Sequence, residues 1–330
     1  MRSRVADATD ALLEFPVVPS FTSIGPAIRS RLDGWTPLSA YDMSGRVVVL
    51  TGPTSGLGLA AAHTLAELGA SLVLVGRDRV RTETVRDNLA RAEGTAAHSV
   101  VVADMSDLDQ VQAAATVIRA ERDAIDVLIH NAGALTAERR LAPNGMEATV
   151  AAQVVGPFLL TSLLLHSLRA ARPGRVVTVS SGGMYASGLT VENLQMGESD
   201  YGGAEQYARA KRAQVTLNEM WAERWGGSDV VFHSAHPGWA DTPGVRTSLP
   251  SFRRLTAPLL RSAQAGADTV VWLSADDRAP LESNGHFWHD RRPRSLHRLA
   301  ATRRSDTPRR RDDLWNWVSA AAAQHQDEVV

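Results

Sequence analysis

The 330-residue chain carries 35 basic and 36 acidic residues, a formal net charge of −1, so no overall field favours nucleic acid or an acidic partner. It contains no cysteine, which excludes disulfides, thiolate zinc sites and cysteine nucleophiles. A hydrophobic fraction of 44% and a charged fraction of 22% are ordinary for a soluble globular protein with one large α/β domain.

At the N-terminus, Arg2 and Arg4 are followed by Asp7 and Asp10 without an apolar run of signal length, so a cytoplasmic location is expected. Residues 1–45 form an extension before the first clear strand. Within it Phe21, Ile24, Ile28 and Leu32 recur at helical spacing. The spacing predicts a helix capped by Ser20 and packed through that stripe, with Arg29 and Arg31 on other faces. The alternative is a basic amphipathic element that touches a membrane surface or shields a substrate pocket.

From residue 46, apolar runs alternate with helical stretches. Strands are expected at 46–50, 71–75, 99–103, 126–130, 175–180 and 229–233. Helices are expected at 56–69, 79–93 and 203–226. The longest apolar stretch, Val150 to Leu168, is interrupted by Gln153, Pro157, Thr161, Ser162, His166 and Ser167, and reads as a buried helix rather than a membrane span. Continuous apolar strands joined by helices imply a Rossmann-type doubly wound parallel sheet, a three-layer α/β/α domain, over 46–290. Residues 291–330 read as a basic tail. Nine arginines and two prolines between 291 and 311 suggest a solvated, loosely ordered segment. A short helix then opens at Asp312 and Asp313, with Leu314, Trp317, Val318 and Ala321 on one side.

The first strand runs into Thr51-Gly52-Pro53-Thr54-Ser55-Gly56-Leu57-Gly58. Glycines at a strand-to-helix turn let the backbone approach a pyrophosphate, which the helix N-terminus then faces with free N–H groups. The second strand ends in Val75-Gly76-Arg77-Asp78. Gly76 offers no carboxylate to a ribose 2′-hydroxyl, and Arg77 can pair with a 2′-phosphate, so NADP(H) is preferred over NAD(H). Asp78 qualifies this, since it can neutralise Arg77 or itself meet the ribose. Asp104, followed by Met105, can accept from the adenine amino group or cap the next helix. Asn131-Ala132-Gly133 closes the fourth strand with small residues that leave room for a flat cofactor.

Tyr207 and Lys211 stand four apart on an expected helix, hence on one face. Lys211 is the single lysine of the chain. An ammonium beside a phenol favours the phenolate and lowers its pKa, making Tyr207 a usable acid or base. Ser181 ends the fifth strand, where a hydroxyl can hold a carbonyl or alcohol oxygen while Tyr207 moves the proton. Its neighbour Ser180 must point to the opposite face. His286, His289 and Asp290 are a weak metal candidate, because i and i+3 in a strand-like run face opposite sides. His233 and His236 read as structural. Trp239 either lines a substrate pocket or packs in the core.

In this order the motifs resemble those of the short-chain dehydrogenase/reductase family, over about 46–245. The resemblance implies Tyr207 as catalytic acid/base, Lys211 as its electrostatic partner and Ser181 as the substrate-orienting residue. It further implies cofactor contacts from Pro237, Gly238 and Thr242, and a small-molecule carbonyl/alcohol substrate, taken to be hydrophobic. A homo-oligomer through the helix at 146–171 is another implication, one that the extensions can block. His236–Arg246, Ser180–Met184, Gln264–Thr269 and Asp290-Arg291 with His297 narrow the resemblance to one subgroup of the family. Two positions depart from the family pattern. Gln153 stands where an asparagine usually supports a water of the proton relay, and His130 replaces the first asparagine before Ala132-Gly133. These departures motivate an alternative, a non-catalytic NADP(H)-binding sensor or scaffold.

Overall fold

Runs that are apolar at every position form strands buried on both faces. β1 (Val47–Thr51), β2 (Ser71–Gly76), β3 (Ser99–Val102), β4 (Val127–His130), β5 (Gly174–Val179), β6 (Val230–His236) and β7 (Phe287–His289) pair in parallel. β8 (Arg292–Arg294) runs antiparallel to β7. The order β3-β2-β1-β4-β5-β6-β7-β8 puts the topological switch between β1 and β4, where open α/β sheets bind ligands beyond the strand C-termini. The computed structural model describes residues 4–93, 97–225, 227, 229–248 and 250–325.

Three helices precede the sheet: α1 (Arg4–Glu14), α2 (Val17–Phe21) and α3 (Ile24–Asp33). α4 (Gly56–Glu67), α5 (Arg79–Glu93) and α6 (Leu108–Glu121) follow β1, β2 and β3. After β4, α7 (Ala148–Val150) passes through a π-helical turn (Ala151–Val155) into α8 (Gly156–Ala171). α9 (Gly203–Trp225) links β5 to β6. α10 (Pro243–Ser248), α11 (Pro250–Thr256) and α12 (Ala263–Ala275) lie between β6 and β7, and α13 (Ala300–Ser305) and α14 (Pro308–Ala322) close the chain. One core, with Leu159, Leu164 and Phe232, fills the layer of α6, α8, α9 and α14; the other, with Leu65, Leu74 and Val271, lies under α4 and α12. Among the described residues, Ala148–Ala171 is the helix long and apolar enough to cross a membrane, and it is mostly buried inside the domain.

The two ends of the chain differ from the sequence expectation. α3 buries Gly25 and Arg29, whereas Ile24 is exposed and Ile28 half-buried. Ser20 does not cap it; its hydroxyl is buried and donates to Glu14. The arginine tail is not solvated at its start. Arg291 and Arg292 are buried, Arg292 pairing with Asp33 at 2.6 Å and Asp10 at 2.9 Å, and Arg291 with Asp268 at 2.7 Å. Arg29 meets Asp10 and Glu14 at 2.7 Å and Asp290 at 2.6 Å. A buried charge persists only when paired and hydrogen-bonded, and each arginine here finds its carboxylates on a distant element. The same pairs hold the β7–β8 turn, where Asp290 and Arg291 adopt φ of 53° and 54°. A two-residue hairpin of this hand normally calls for Asn-Gly or Asp-Gly.

α14 packs across α8 and α9, burying Leu314, Trp315 and Val318. Trp315 turns inward as well, stacking on Trp225 and edging onto Phe158 and Trp221, while the expected Trp317 and Ala321 pack half-buried against the same core. Full burial of Leu314 and Val318 contributes roughly 1.5–3 kcal/mol each. The face expected to serve a homo-oligomer therefore carries the chain's own last helix.

Candidate active site

The Gly-rich turn is built for close approach. Gly52 and Gly56 have φ of +68° and +54°, which disfavours side chains. A Cβ at Gly58 would come within 2.1 Å of the Gly52 carbonyl oxygen. Ser55 precedes α4 without capping it by its side chain, so first-turn N–H groups have no side-chain acceptor there. Thr54 and Leu57 are half-buried beside it. Thr51 Oγ accepts from the backbone N–H groups of Asn131 and Ala132, both at 3.0 Å, and Asn131 Nδ2 donates to the carbonyls of Thr51 and Gly52. The ends of β1 and β4 are thereby clamped at the switch point. The Gly56 backbone faces Thr242, whose Cγ2 would lie 3.3 Å from a Cβ there.

Arg77 follows β2 with a side chain 80% exposed and an Nη1 3.9 Å from Asp104 Oδ2. Asp78 accepts from the Arg81 backbone N–H at 3.1 Å, capping α5 rather than pairing with Arg77. Asp104 accepts from Ser106, and the cap of α6 is Asp107. The capping role considered for Asp104 thus belongs to its neighbour. Met105 is buried, its carbonyl oxygen against Gly156.

β5 delivers two serines to opposite sides, as a strand must. Ser180 is buried and Ser181 half-buried, its Oγ accepting from Gly183 N–H at 3.1 Å. α9 brings Tyr207 alongside and buries Lys211, whose Nζ donates to the Val179 carbonyl at 2.9 Å and lies 5.4 Å from the Tyr207 ring centre. Burial pushes Lys211 down to about 7. Burial also pushes the Tyr207 phenol up, opposed by a hydrogen bond with Ser181. The net displacement of the phenol is thus upward, against the lowering expected from Lys211: loss of water disfavours the phenolate, and the Ser181 hydrogen bond offsets this only in part.

Gln153 lies in the π-helical turn, fully buried, with Nε2 donating to the Ala134 carbonyl at 2.9 Å and Oε1 toward Gly133. Such one-turn bulges recur at functional sites. His130 turns away from the cofactor turn to Thr161 Oγ, at 2.7 Å, and burial holds it near 3, hence neutral.

Beyond β6, Gly238 (φ +73°) lies on the Arg261 guanidinium, which would be 2.2 Å from a Cβ. Arg261 also donates to the carbonyls of Pro237, Ser20, Phe21 and Thr22 and pairs with Asp290. Phe21 packs its edge on His236 and Trp239, and Trp239 on Phe252. Sequence reasoning missed Arg261, whose partners are mostly backbone groups of remote segments, which no local pattern signals; Phe21 is expected in the apolar stripe of the extension, but without its ring partners. His233 contacts Pro280 and Trp288, and His289 contacts Arg261. Among the described residues no group of three His, Asp or Glu side chains is arranged to hold a metal.

Comparison with known proteins agrees with this architecture. The family profile of short chain dehydrogenase matches residues 46–251. The chain is 39% identical to human dehydrogenase/reductase SDR family member 12 over 258 residues, 78% of this chain and 80% of that protein. It is 33% identical to human retinol dehydrogenase 11, over 79% of this chain and 83% of that one. A Beutenbergia cavernae protein described as an NAD(P)-dependent gluconate 5-dehydrogenase, solved with NADP bound, is 26% identical and superposes with a TM-score of 0.61, covering 77% of this chain and 97% of its own. With a glycine turn at the switch of a Rossmann-type sheet and a profile match over more than half its length, the chain belongs to the short-chain dehydrogenase/reductase family of oxidoreductases.

Proposed function

We propose that the protein is an NADP(H)-dependent oxidoreductase that interconverts a carbonyl and an alcohol on a small hydrophobic substrate. The observation that carries this reading is the meeting of Ser181, Tyr207 and a buried Lys211 at the C-terminal ends of the strands that also bear the glycine turn. The glycine cradle and the uncapped start of α4 fit a dinucleotide pyrophosphate. Arg77, exposed and not taken up by Asp78, supports the phosphorylated form.

When bound, the nicotinamide supplies or accepts the hydride. Ser181 Oγ holds the substrate oxygen. In reduction Tyr207 Oη gives its proton to that oxygen; in oxidation it takes the proton back. A phenol raised by burial is protonated at neutral pH, which suits the reductive direction. Lys211 holds its place by donating to Val179, and its charge stabilises the phenolate that forms. Gln153 braces the Asn131–Gly133 turn from behind. Phe21, Trp239 and Phe252 offer an apolar wall beside Gly182, consistent with a hydrophobic substrate and with the retinol dehydrogenase named among the relatives.

Fluorescence titration with NADPH and NADH tests the cofactor, and Tyr207→Phe tests the chemistry. Tighter NADPH binding and a Tyr207→Phe variant that binds cofactor but does not turn over are expected. Wild-type turnover by that variant would refute the mechanism.

A further inference from the structure

Beside Gln153 lies a small cavity lined from β4, β5, β6, the π-helical turn, α8 and α9. It offers about 30 Å³ to the centre of a water molecule. Besides Thr161 and Thr178, its polar lining side chains are His130, Gln153, Gln214 and Asn218, each at most 5% exposed. Among the described residues, one atom of each has no hydrogen-bond partner: His130 Nδ1, Gln153 Oε1, Gln214 Oε1 and Asn218 Nδ2. Most of the remaining wall is apolar, including Phe158, Trp221 and Phe232. Four orphaned polar groups in one apolar shell are a heavy burden for a marginally stable fold.

The four atoms form a set. Gln153 Oε1 and Gln214 Oε1 accept; Asn218 Nδ2 donates. His130 Nε2 is engaged with the Thr161 hydroxyl at 2.7 Å. When that hydroxyl donates to Nε2, the single proton of the neutral ring sits on Nδ1, which becomes the second donor. Two donors and two acceptors around one small space complement the two lone pairs and two hydrogens of water. About 10–15 Å³ of such room and two to four polar partners suffice for a buried water.

We propose that this chamber binds an ordered water, which donates to Gln153 Oε1 and Gln214 Oε1 and accepts from Asn218 Nδ2 and His130 Nδ1. Lys211, Gln214 and Asn218 follow one another at i, i+3 and i+7, along one stripe of α9. The water therefore ties the Gln153 amide to the stripe that carries Lys211. His130, Gln214 and Asn218 act as positioning residues for Gln153. This second step rests on the function proposed above; the water site does not.

Asn218→Leu and Gln214→Met keep side-chain volume and remove one polar partner each. With water bound, each variant leaves it under-coordinated and lowers Tm by about 1–3 °C. In a dry chamber each removes an orphan, and Tm rises. A high-resolution crystal structure of the wild-type protein is expected to show a water peak within reach of all four atoms. Absence of that peak, or a rise in Tm in both variants, overturns the site. For the positioning role, Asn218→Leu is expected to lower kcat several-fold while leaving KM for NADPH unchanged; unchanged kcat overturns that role. If the wild-type protein reduces no carbonyl at all, the proposed function fails, and Tm and density still decide the water site.

Discussion

Lys211→Met separates stability from function at one side chain. Lys211 is 3% exposed, and burial moves it from 10.5 down to about 7. That displacement corresponds to roughly 5 kcal/mol of disfavoured charge. The folded protein releases this proton near pH 7, while the unfolded chain keeps it to about pH 10.5. Between those values the unfolded state binds more protons, so this residue's contribution to stability improves as pH rises. The full penalty acts below pH 7 and about 2 kcal/mol of it remains at pH 9. Methionine keeps the stem and removes the ammonium, at the cost of the hydrogen bond to Val179. The variant is expected to be more stable than wild type at pH 6. Its gain at pH 6 exceeds its gain at pH 9 by about 3 kcal/mol, or roughly 4 °C in Tm for a chain of this length. Thermal melts of both proteins at both pH values measure this. An identical gain at pH 6 and pH 9, or a variant less stable at pH 6, would refute the reasoning.

Three further outcomes are expected. Arg77→Ala weakens NADPH binding about 10- to 100-fold and leaves NADH binding unchanged, as loss of a charge-assisted hydrogen bond predicts in paired titrations. Arg29→Met leaves Asp10, Glu14 and Asp290 short of a cation and costs about 3–5 kcal/mol, read as a lowered urea midpoint; an unaltered midpoint would show that the cluster is dispensable. Removing residues 306–330 strips the cover from Phe158, Trp221 and Trp225 and is expected to cause self-association, detected by light scattering.

Much of the sheet was legible because its signals are local. The first strand is expected at 46–50 and lies at 47–51; the second is expected at 71–75 and lies at 71–76. The glycine turn and the spacing of Tyr207 and Lys211 are likewise short-range patterns. The extensions were opaque for the opposite reason. Arg29, Arg291 and Arg292 look like surface charges in sequence because each carboxylate partner lies on another element. The π-helical turn that presents Gln153 leaves no mark in composition or period. Trp315 joins the expected Trp317 on the inner side of α14, because it packs against Trp225, a partner on another helix that periodicity alone does not signal.

The cluster around Asp290 also constrains the order in which the protein can be completed. Asp290 stands 261 residues after Arg29. At about 5–20 residues per second, ribosomal synthesis takes roughly 13–52 s to span that interval. Throughout it, α3 presents a guanidinium destined for burial whose deepest partner has not yet been made. The first helices therefore wait on nearly the whole chain, and the cluster that buries Arg29 closes only after the last parallel strand has joined the sheet.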